Sequence, residues 1–264
     1  MNWSQAFTKF LDPYELKARL FPGLLVLLPG IIYFALTFGP KNPLLVTLGS
    51  VLATCGGPSL LANFVRTWGQ RAQEKLYKKW SAQPSTILLR HRDDQLSDQT
   101  TIRYHTLASS KLGIVMPSRA EEEDNPLLAD KAYAAAADAL RPMTNDKKKF
   151  DLLFKELVHY GYNRNAYGSR WVGFVIAIGA GLMTLFNAGV LNIDEPYFQR
   201  AHLSPASGFI LSISIAMALL WALHFTGQTV KQSGFSYARR LWEALEQVPK
   251  KTAGSPRAPR VRKD

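Results

Sequence analysis

Cysteine is almost absent from this chain of 264 residues, in which Cys55 is the single cysteine. One thiol cannot form an intrachain disulfide, so packing and hydrogen bonds must hold the fold together. The lack of disulfides is typical of proteins whose folded domains face a reducing cytosol. Since Cys55 lies inside an apolar stretch, we expect it to be a small packing residue.

Charge is absent from four long stretches. Asp, Glu, Lys and Arg do not occur in residues 20–40, 42–65, 171–193 and 201–230. Each stretch is long enough to cross the hydrocarbon core of a bilayer, which takes about 20 helical residues. The alternation typical of strands is scarce. The sequence therefore predicts an all-α integral membrane protein with four transmembrane helices in two hairpins and a helical cytoplasmic domain between them.

Positive charge is scarce in the two short connectors that join the paired stretches. Of the 32 Lys and Arg residues, only Lys41 and Arg200 fall there. Positive residues near the ends of transmembrane helices remain on the cytoplasmic side. We therefore predict a multi-pass membrane protein with both termini and the central region in the cytoplasm.

The same pattern predicts five parts along the chain. They are an interfacial segment, a first hairpin, a cytoplasmic helical domain, a second hairpin, and a cytoplasmic helix with a basic disordered tail, at residues 1–20, 21–64, 65–170, 171–226 and 227–264. Within the central domain, Ser97 is a predicted helix N-cap and Gly113 a predicted helix end. Residues 59–80 should continue the second span into the cytoplasm as a stalk.

Motifs of the common catalytic classes are missing. The chain has no Gly-rich loop ending in Lys-Ser or Lys-Thr, and the segment around His91 and Asp93 matches only part of a kinase catalytic loop. The five histidines show no pair at metal-binding spacing, and one cysteine cannot complete a zinc site with them. We therefore expect no enzymatic activity, no catalytic residue, no metal and no cofactor.

Ionisable side chains are also missing from the middle of the spans, where coupled transporters keep them. The second span instead carries a mildly polar stripe of Thr47, Ser50 and Thr54. Four helices cannot enclose a wide aqueous path, but several copies around an axis could. We interpret the stripe as the pore lining of a homo-oligomer.

Basic residues of the central region alternate with aromatic and amide side chains. Guanidinium groups suit phosphates and flat rings suit bases, as in sites for single-stranded nucleic acid. The candidate ligand-binding residues are Arg90, Arg92, Arg103, Tyr162 and Arg164. Anionic lipid is an alternative explanation, above all for residues 160–170 beside the third span, because each basic residue near anionic lipid gains about 1 kcal/mol.

Several segments resemble one family of bacterial inner-membrane proteins. They are residues 11–24, Leu89-Arg90-His91-Arg92-Asp93, Arg103-Tyr104-His105, Lys149-Phe150-Asp151-Leu152-Leu153-Phe154 with Glu156, and residues 160–168. The family includes the channel effector of Hailong-type anti-phage defence. The resemblance covers the central domain and first span, and hardly the tail. It implies a homo-oligomeric ion channel, controlled by oligonucleotides from a partner nucleotidyltransferase, that opens during infection and depolarises the cell.

Two hypotheses of different classes follow. The leading one is an oligomeric inner-membrane ion channel, with a tetramer favoured, gated by an anionic nucleotide or single-stranded DNA bound to the cytoplasmic domain. The other is a non-conducting anchor or scaffold whose basic surface binds anionic lipid or an acidic partner. A membrane enzyme ranks last, because no nucleophile, acid–base pair or metal set is visible in the sequence.

Overall fold

The computed structural model describes residues 12–39, 42–54 and 56–250. The helices are α1 Glu15–Thr37, α2 Pro43–Thr54, α3 Gly57–Trp80, α4 Pro84–Ile87, α5 Asp98–Leu112, α6 Arg119–Asp124, α7 Pro126–Met143, α8 Asp151–Asn187, α9 Pro205–His224 and α10 Gly227–Ala244. A short 3-10 helix, Leu245–Gln247, follows α10. No strand occurs within the described ranges, where Leu191 and Phe198 form an isolated antiparallel bridge. The predicted all-α class is confirmed for this part of the chain.

Three helices, α1, α8 and α9, are long and apolar enough to cross a membrane. They contain most of the first, third and fourth charge-free stretches. Large apolar side chains on them remain exposed, including Phe34 at 60%, Val175 at 66% and Leu223 at 72%. Exposure of this kind is expected of helices surrounded by lipid. The structure thus supports the prediction of a membrane protein with transmembrane helices.

The second charge-free stretch differs from the prediction, because it forms two helices instead of one. α2 ends at Thr54 and α3 begins at Gly57. Between them Gly56 has a φ of +103°, in the left-handed region that glycine adopts without steric cost. Pro58 has no backbone N–H to bond to the preceding turn. Among the described residues three helices have spanning length, and the four-span, two-hairpin arrangement stays a prediction. Cys55 lies outside the described residues.

α1 begins before the apolar stretch. Its first turn, Glu15–Leu20, is π-helical and continues directly into the rest of α1. Asp12 accepts a hydrogen bond from the N–H of Tyr14 at 3.0 Å, as a residue preceding a helix does. Residues 15–20, the last part of the predicted interfacial segment, are thus continuous with the first span. Residues 1–11 lie outside the described residues, as do residues 251–264 of the predicted basic tail.

The described chain divides into two compact units. The spanning unit comprises residues 12–81 and 155–234, and the small unit comprises residues 82–154 and 235–250. The divisions fall inside α8 and α10. The small unit is shorter than the cytoplasmic domain predicted for residues 65–170, because the stalk and the approach to the third span belong with the spans.

Small residues bring the helices of the spanning unit close together. A Cβ atom at Gly168 of α8 would lie 2.6 Å from backbone atoms of Trp68 and Gly69 on α3. A Cβ atom at Gly173 of α8 would lie 2.4 Å from the indole of Trp221 on α9. Small side chains are what allow such close approach between membrane helices. α8 is therefore the helix on which both α3 and α9 pack.

The small unit has its own apolar core. It is formed by side chains of α5, α7 and the end of α10, including Tyr104, Ala108, Tyr133, Leu140, Leu241 and Trp242. Ser97 caps α5 by accepting a hydrogen bond from the N–H of Thr100, and Gly113 ends it with a φ of +71°. Both helix-end predictions are confirmed. The core places α6 and α7 beside the segment that joins α4 to α5.

Candidate functional site

The predicted ligand residues Arg90 and Arg92 lie in the irregular segment between α4 and α5. Besides Asp93 of the same segment, their side-chain partners come from the two helices that follow α5, namely Glu122 on α6 and Asp130 on α7. Tyr133 of α7 bonds to Glu122 in turn. We call Arg90, Arg92, Glu122, Asp130 and Tyr133 the Arg–acid cluster, and all of them belong to the small unit. The cluster ties an irregular segment to two helices.

Glu122 is the most deeply buried charged residue of the cluster, with 1% of its surface exposed. Its carboxylate accepts hydrogen bonds from the Tyr133 hydroxyl and from Nη1 of Arg92, both at 2.6 Å. It also accepts from the backbone N–H groups of His91 at 2.8 Å and of Arg92 at 3.3 Å. Burial acts to raise the pKa of Glu122, but these hydrogen bonds outweigh burial and lower the pKa. The carboxylate therefore stays ionised at neutral pH.

The small unit should lose stability in acid through Glu122. The pKa of this group is lowered on folding from its ordinary value of 4.5. The stabilisation from its charge is therefore complete above that pH and is lost as the pH falls through the pKa of the folded state. Hydrogen exchange of small-unit amides, followed from neutral to acid pH, measures the effect. Glu122→Gln cannot titrate and should give a shallower profile, and a wild-type profile with the same slope would contradict the prediction.

Arg90 is also buried, with 5% exposed, and contacts two carboxylates. Its Nε and Nη2 donate to the two oxygens of Asp130, each at 2.8 Å, and its Nη1 donates to Asp93 at 3.1 Å. Burial acts to lower the pKa of Arg90, but the bonds to Asp130 and Asp93 outweigh burial and raise the pKa. A bidentate pair of this geometry fixes the guanidinium plane. Carboxylates therefore already occupy the positions where a phosphate would bind.

Arg92 lies at the edge of the cluster, with its side chain 34% exposed. Besides Glu122, it bonds through Nη2 to both oxygens of Asp130, at 2.9 and 3.0 Å. Asp130 thus shares its charge between Arg90 and Arg92. Counting Asp93, two guanidinium groups face three carboxylates, so the cluster has no surplus positive charge for an anionic ligand.

Arg103 has different partners. It lies on α5 and pairs with Glu246 at 2.9 Å, and the two side chains are 58% and 46% exposed. Its guanidinium carbon lies 5.4 Å from the centre of the Tyr104 ring. An exposed ion pair contributes at most about 1 kcal/mol, so a ligand can displace Glu246 at little cost. Arg103 is therefore the most accessible of the three predicted arginines in the small unit.

Tyr162 and Arg164 belong to the spanning unit, so the five predicted ligand residues are divided between the two units. Tyr162 is half-buried, and its ring centre lies 6.1 Å from that of Phe225. Arg164 donates to Gln73 of α3 at 2.9 Å and to the side-chain oxygen of Asn165 at 3.1 Å. Both residues contribute to the packing of α8, and their role in ligand binding stays a prediction.

The predicted pore residues Thr47 and Ser50 lie on α2. Their hydroxyl groups donate to the carbonyl groups of Pro43 and Val46, each at 2.9 Å. Every α2 side chain that the structure describes is exposed. The side chain of Thr54 lies outside the described part of the chain. The structure thus leaves the pore role of these residues a prediction.

Sequence analysis missed the acidic half of the Arg–acid cluster. Asp130 lies 40 residues from Arg90 along the chain, so no local spacing connects the two. The only local signal is a capping box, in which Ser118 and Glu121 bond reciprocally at the start of α6. This box predicts where α6 begins but gives no hint that Glu122 is buried.

Within the described residues, no group of three or more His, Cys, Asp or Glu side chains could hold a metal ion.

Comparison with known proteins identifies no relative of the chain. No protein family, curated protein or solved structure matches it.

Proposed function

We propose that this chain is the subunit of a homo-oligomeric ion channel of the bacterial inner membrane, with a tetramer favoured. Both termini and the small unit then lie in the cytoplasm, as the distribution of positive charge favours. One observation carries the proposal. α2 is an apolar helix that carries the hydroxyl residues Thr47, Ser50 and Thr54, and all its described side chains are exposed.

The fourth crossing in this proposal is discontinuous. α2 has 12 residues, which span about 18 Å, and residues 57–65 of α3 add about 13 Å. Together they match a hydrocarbon core of about 30 Å. Broken helices occur at membrane depth where protein or a water-filled cavity covers their free backbone groups. The break at Gly56 therefore fits a crossing enclosed in an oligomer better than one surrounded by lipid.

In an oligomer, neighbouring copies of the chain would bury the α2 side chains that are exposed in the described part of one copy. Leu44 is 71% exposed, Val46 53% and Leu48 50%. In a closed ring each subunit presents the same surfaces to its neighbours, so one set of apolar contacts is repeated around the axis. The hydroxyl groups of Thr47 and Ser50 would then face water in the pore.

Ion flux tests the proposal directly. Purified protein in liposomes should dissipate an ion gradient, and a single-stranded oligonucleotide added on the small-unit side should change the rate. Such gating requires the ligand to bind the closed and open states with different affinities. A lack of flux with and without oligonucleotide would reject the channel.

A thiol placed at position 47 should make the channel sensitive to block. Thr47→Cys in a Cys55→Ala background carries the only thiol of the chain. Modification by a charged methanethiosulfonate should lower ion flux about tenfold, since a charge in a narrow pore adds at least about 1.4 kcal/mol to the barrier. Leu48→Cys, on another side of α2, is the matched control. Unchanged flux with a fully modified Thr47→Cys thiol would remove α2 from the pore lining.

We further propose that the small unit binds the gating ligand, an anionic nucleotide or single-stranded DNA. The family resemblance implies that a partner nucleotidyltransferase makes it and that the channel acts in anti-phage defence. No catalytic step is assigned to the chain. Arg103 is the residue to test first, because its charge is accessible and its pairing with Glu246 is exposed.

Arg103→Glu should lower oligonucleotide retention in a filter assay by about tenfold or more, as the loss of a hydrogen bond to a charged group does. Arg119→Glu is the matched control. Arg119 is 56% exposed and pairs with exposed Asp98 at 2.9 Å, so it resembles Arg103 in setting. Equal retention by the two variants would remove Arg103 from the ligand site.

A non-conducting anchor or scaffold is the second candidate. The Arg–acid cluster favours it, because Arg90 and Arg92 already have carboxylate partners. The accessible positive charge would then lie mainly beside the spans and hold anionic lipid or an acidic partner. The flux experiment separates this candidate from the channel.

A further inference from the structure

A cavity of about 270 Å³ lies between α3 and α8 in the spanning unit. Its lining combines cations with aromatic rings, namely Arg71, Lys75, Arg170, Trp68, Tyr167 and Trp171. The two helices run antiparallel beside it. The hydroxyl groups of Tyr77 and Tyr160 lie 2.9 Å apart, and Arg164 bonds to Gln73 at 2.9 Å. The cavity therefore lies between two helices that are joined by side-chain hydrogen bonds.

Both helices change from apolar to charged at the level of this cavity. Residues 42–65 carry no Asp, Glu, Lys or Arg, and Arg66 is the first cation after them. Arg170 is the last charge before residues 171–193. Since a Cβ at Gly168 would meet the backbone of Gly69, the two boundaries lie side by side. In a membrane-inserted chain the two boundaries would lie at one membrane–water interface, where Trp, Tyr and lipid headgroups collect.

The three cations are not neutralised by acidic side chains. In the described part of the chain, no carboxylate lies within ion-pair distance of Arg71, Lys75 or Arg170. Glu74, on the same helix, is exposed and does not line the cavity. This differs from the Arg–acid cluster, where carboxylates outnumber the arginines. The cavity therefore carries a surplus of positive charge.

Aromatic rings hold one of these cations in place. The guanidinium carbon of Arg170 lies 4.7 Å from the centre of the Tyr167 ring and 4.8 Å from that of Trp171. In a cation–π contact the flat face of the guanidinium group lies against the ring, and its N–H groups point outward from the edge of the guanidinium plane. Those N–H groups remain able to donate to phosphate oxygens, for which guanidinium geometry is well suited.

We propose that this cavity binds the phosphate of an anionic phospholipid in the cytoplasmic leaflet. Basic pockets between transmembrane helices on the cytoplasmic side bind such headgroups. The side chains just beyond the cavity favour a lipid over a free phosphate. Phe64 is 50% exposed and Val175 is 66% exposed, and both lie on the apolar side of the boundary. They offer a surface for acyl chains that a free nucleotide would leave uncovered.

Binding of short-chain phospholipids to the detergent-solubilised full chain tests this site. Native mass spectrometry should show dioctanoyl phosphatidylglycerol bound more tightly than dioctanoyl phosphatidylcholine. The triple variant Arg71→Gln, Lys75→Gln, Arg170→Gln should weaken phosphatidylglycerol binding about tenfold or more, because each cation beside an anionic lipid contributes. Lys75→Gln alone, at an exposed position, should weaken it by a smaller factor and is the variant to use if the triple variant does not fold.

The matched control removes three cations elsewhere, through Lys78→Gln, Lys79→Gln and Lys148→Gln. These residues are exposed and do not line the cavity, so phosphatidylglycerol binding should stay close to that of the wild type. Equal loss in the control and the cavity variant would mean that general charge attraction explains binding, and this would overturn the site. Equal binding of the two phospholipids by the wild type would do the same.

Two further arms separate lipid from free phosphate. Inorganic phosphate and a deoxyadenylate oligonucleotide should compete weakly for the cavity. If either displaced phosphatidylglycerol at a concentration below that of the phosphatidylglycerol itself, the lipid assignment would be overturned. The inference depends on membrane insertion and does not depend on conductance. Selective lipid binding without ion flux would reject the channel and leave the lipid site in place. If the cavity variant kept both its ion flux and its lipid binding, the lipid site would be rejected and the channel would stand.

Discussion

Replacing Glu122 with alanine is expected to destabilise the small unit by about 3–5 kcal/mol, the cost of removing one partner from a buried ion pair. The substitution would leave the Tyr133 hydroxyl, the N–H of His91 and the N–H of Arg92 without their acceptor. Each unsatisfied buried donor adds a desolvation cost of about 1–3 kcal/mol unless water reaches it. Since a domain is stable by only about 5–15 kcal/mol, this loss is a large fraction of the total.

Glu123→Ala is the control for this experiment. Glu123 is the next residue of α6 and is exposed, so its removal should change stability by less than about 0.5 kcal/mol. Hydrogen exchange of the amides in α5 and α7, measured on the full chain, reports the stability of the small unit without that of the spans. Similar protection in Glu122→Ala and Glu123→Ala would mean that the Arg–acid cluster does not stabilise the small unit.

Gly168→Ala is expected to separate α3 from α8 and to lower the stability of the spanning unit by about 1–3 kcal/mol or more, as overpacking does. The new methyl group would lie 2.6 Å from the carbonyl carbon and oxygen of Trp68 and from the nitrogen of Gly69. All three are backbone atoms, which cannot rotate away as a side chain can. Relief therefore requires movement of a whole helix.

Gly179→Ala, in the same helix, is the matched control. A Cβ at Gly179 meets no atom within 4 Å, and alanine is the better helix former by about 1 kcal/mol. The control should therefore be neutral or stabilising. The thermal midpoint of the detergent-solubilised protein measures both variants, and ion flux reports whether the proposed channel tolerates the movement. A Gly168→Ala midpoint equal to that of the control would show that the two helices separate without cost.

Local signals in the sequence predict the parts of this fold that depend on local physics. A charge-free stretch of sufficient length predicts α8 and α9 because burial in lipid depends on composition and length. Ser97 and Gly113 predict the ends of α5 because capping involves residues a few positions apart. Gly56 and Pro58 favour a bend in any helix that contains them, but the surroundings of the helix decide whether the result is a kink or a full break.

The candidate site is harder to predict, because its character depends on distant partners. Arg90 and Arg92 look available to a phosphate when only their neighbours in sequence are considered. Their true surroundings include Asp130 and Glu122, brought together by the packing of α6 and α7. The cavity cations Arg71 and Arg170 likewise meet only through the close contact of two helices.

The sharing of Asp130 between Arg90 and Arg92 has an evolutionary consequence. A neutral residue in place of Asp130 would leave Arg90 with Asp93 and Arg92 with Glu122, and each guanidinium group would lose the acceptor that it shares with the other, so single changes at position 130 should be selected against. Homologous genes should instead retain all three residues or replace them in concert, as spatially coupled positions do. Such covariation between positions 90, 92 and 130 would serve as a marker for finding distant relatives of this chain.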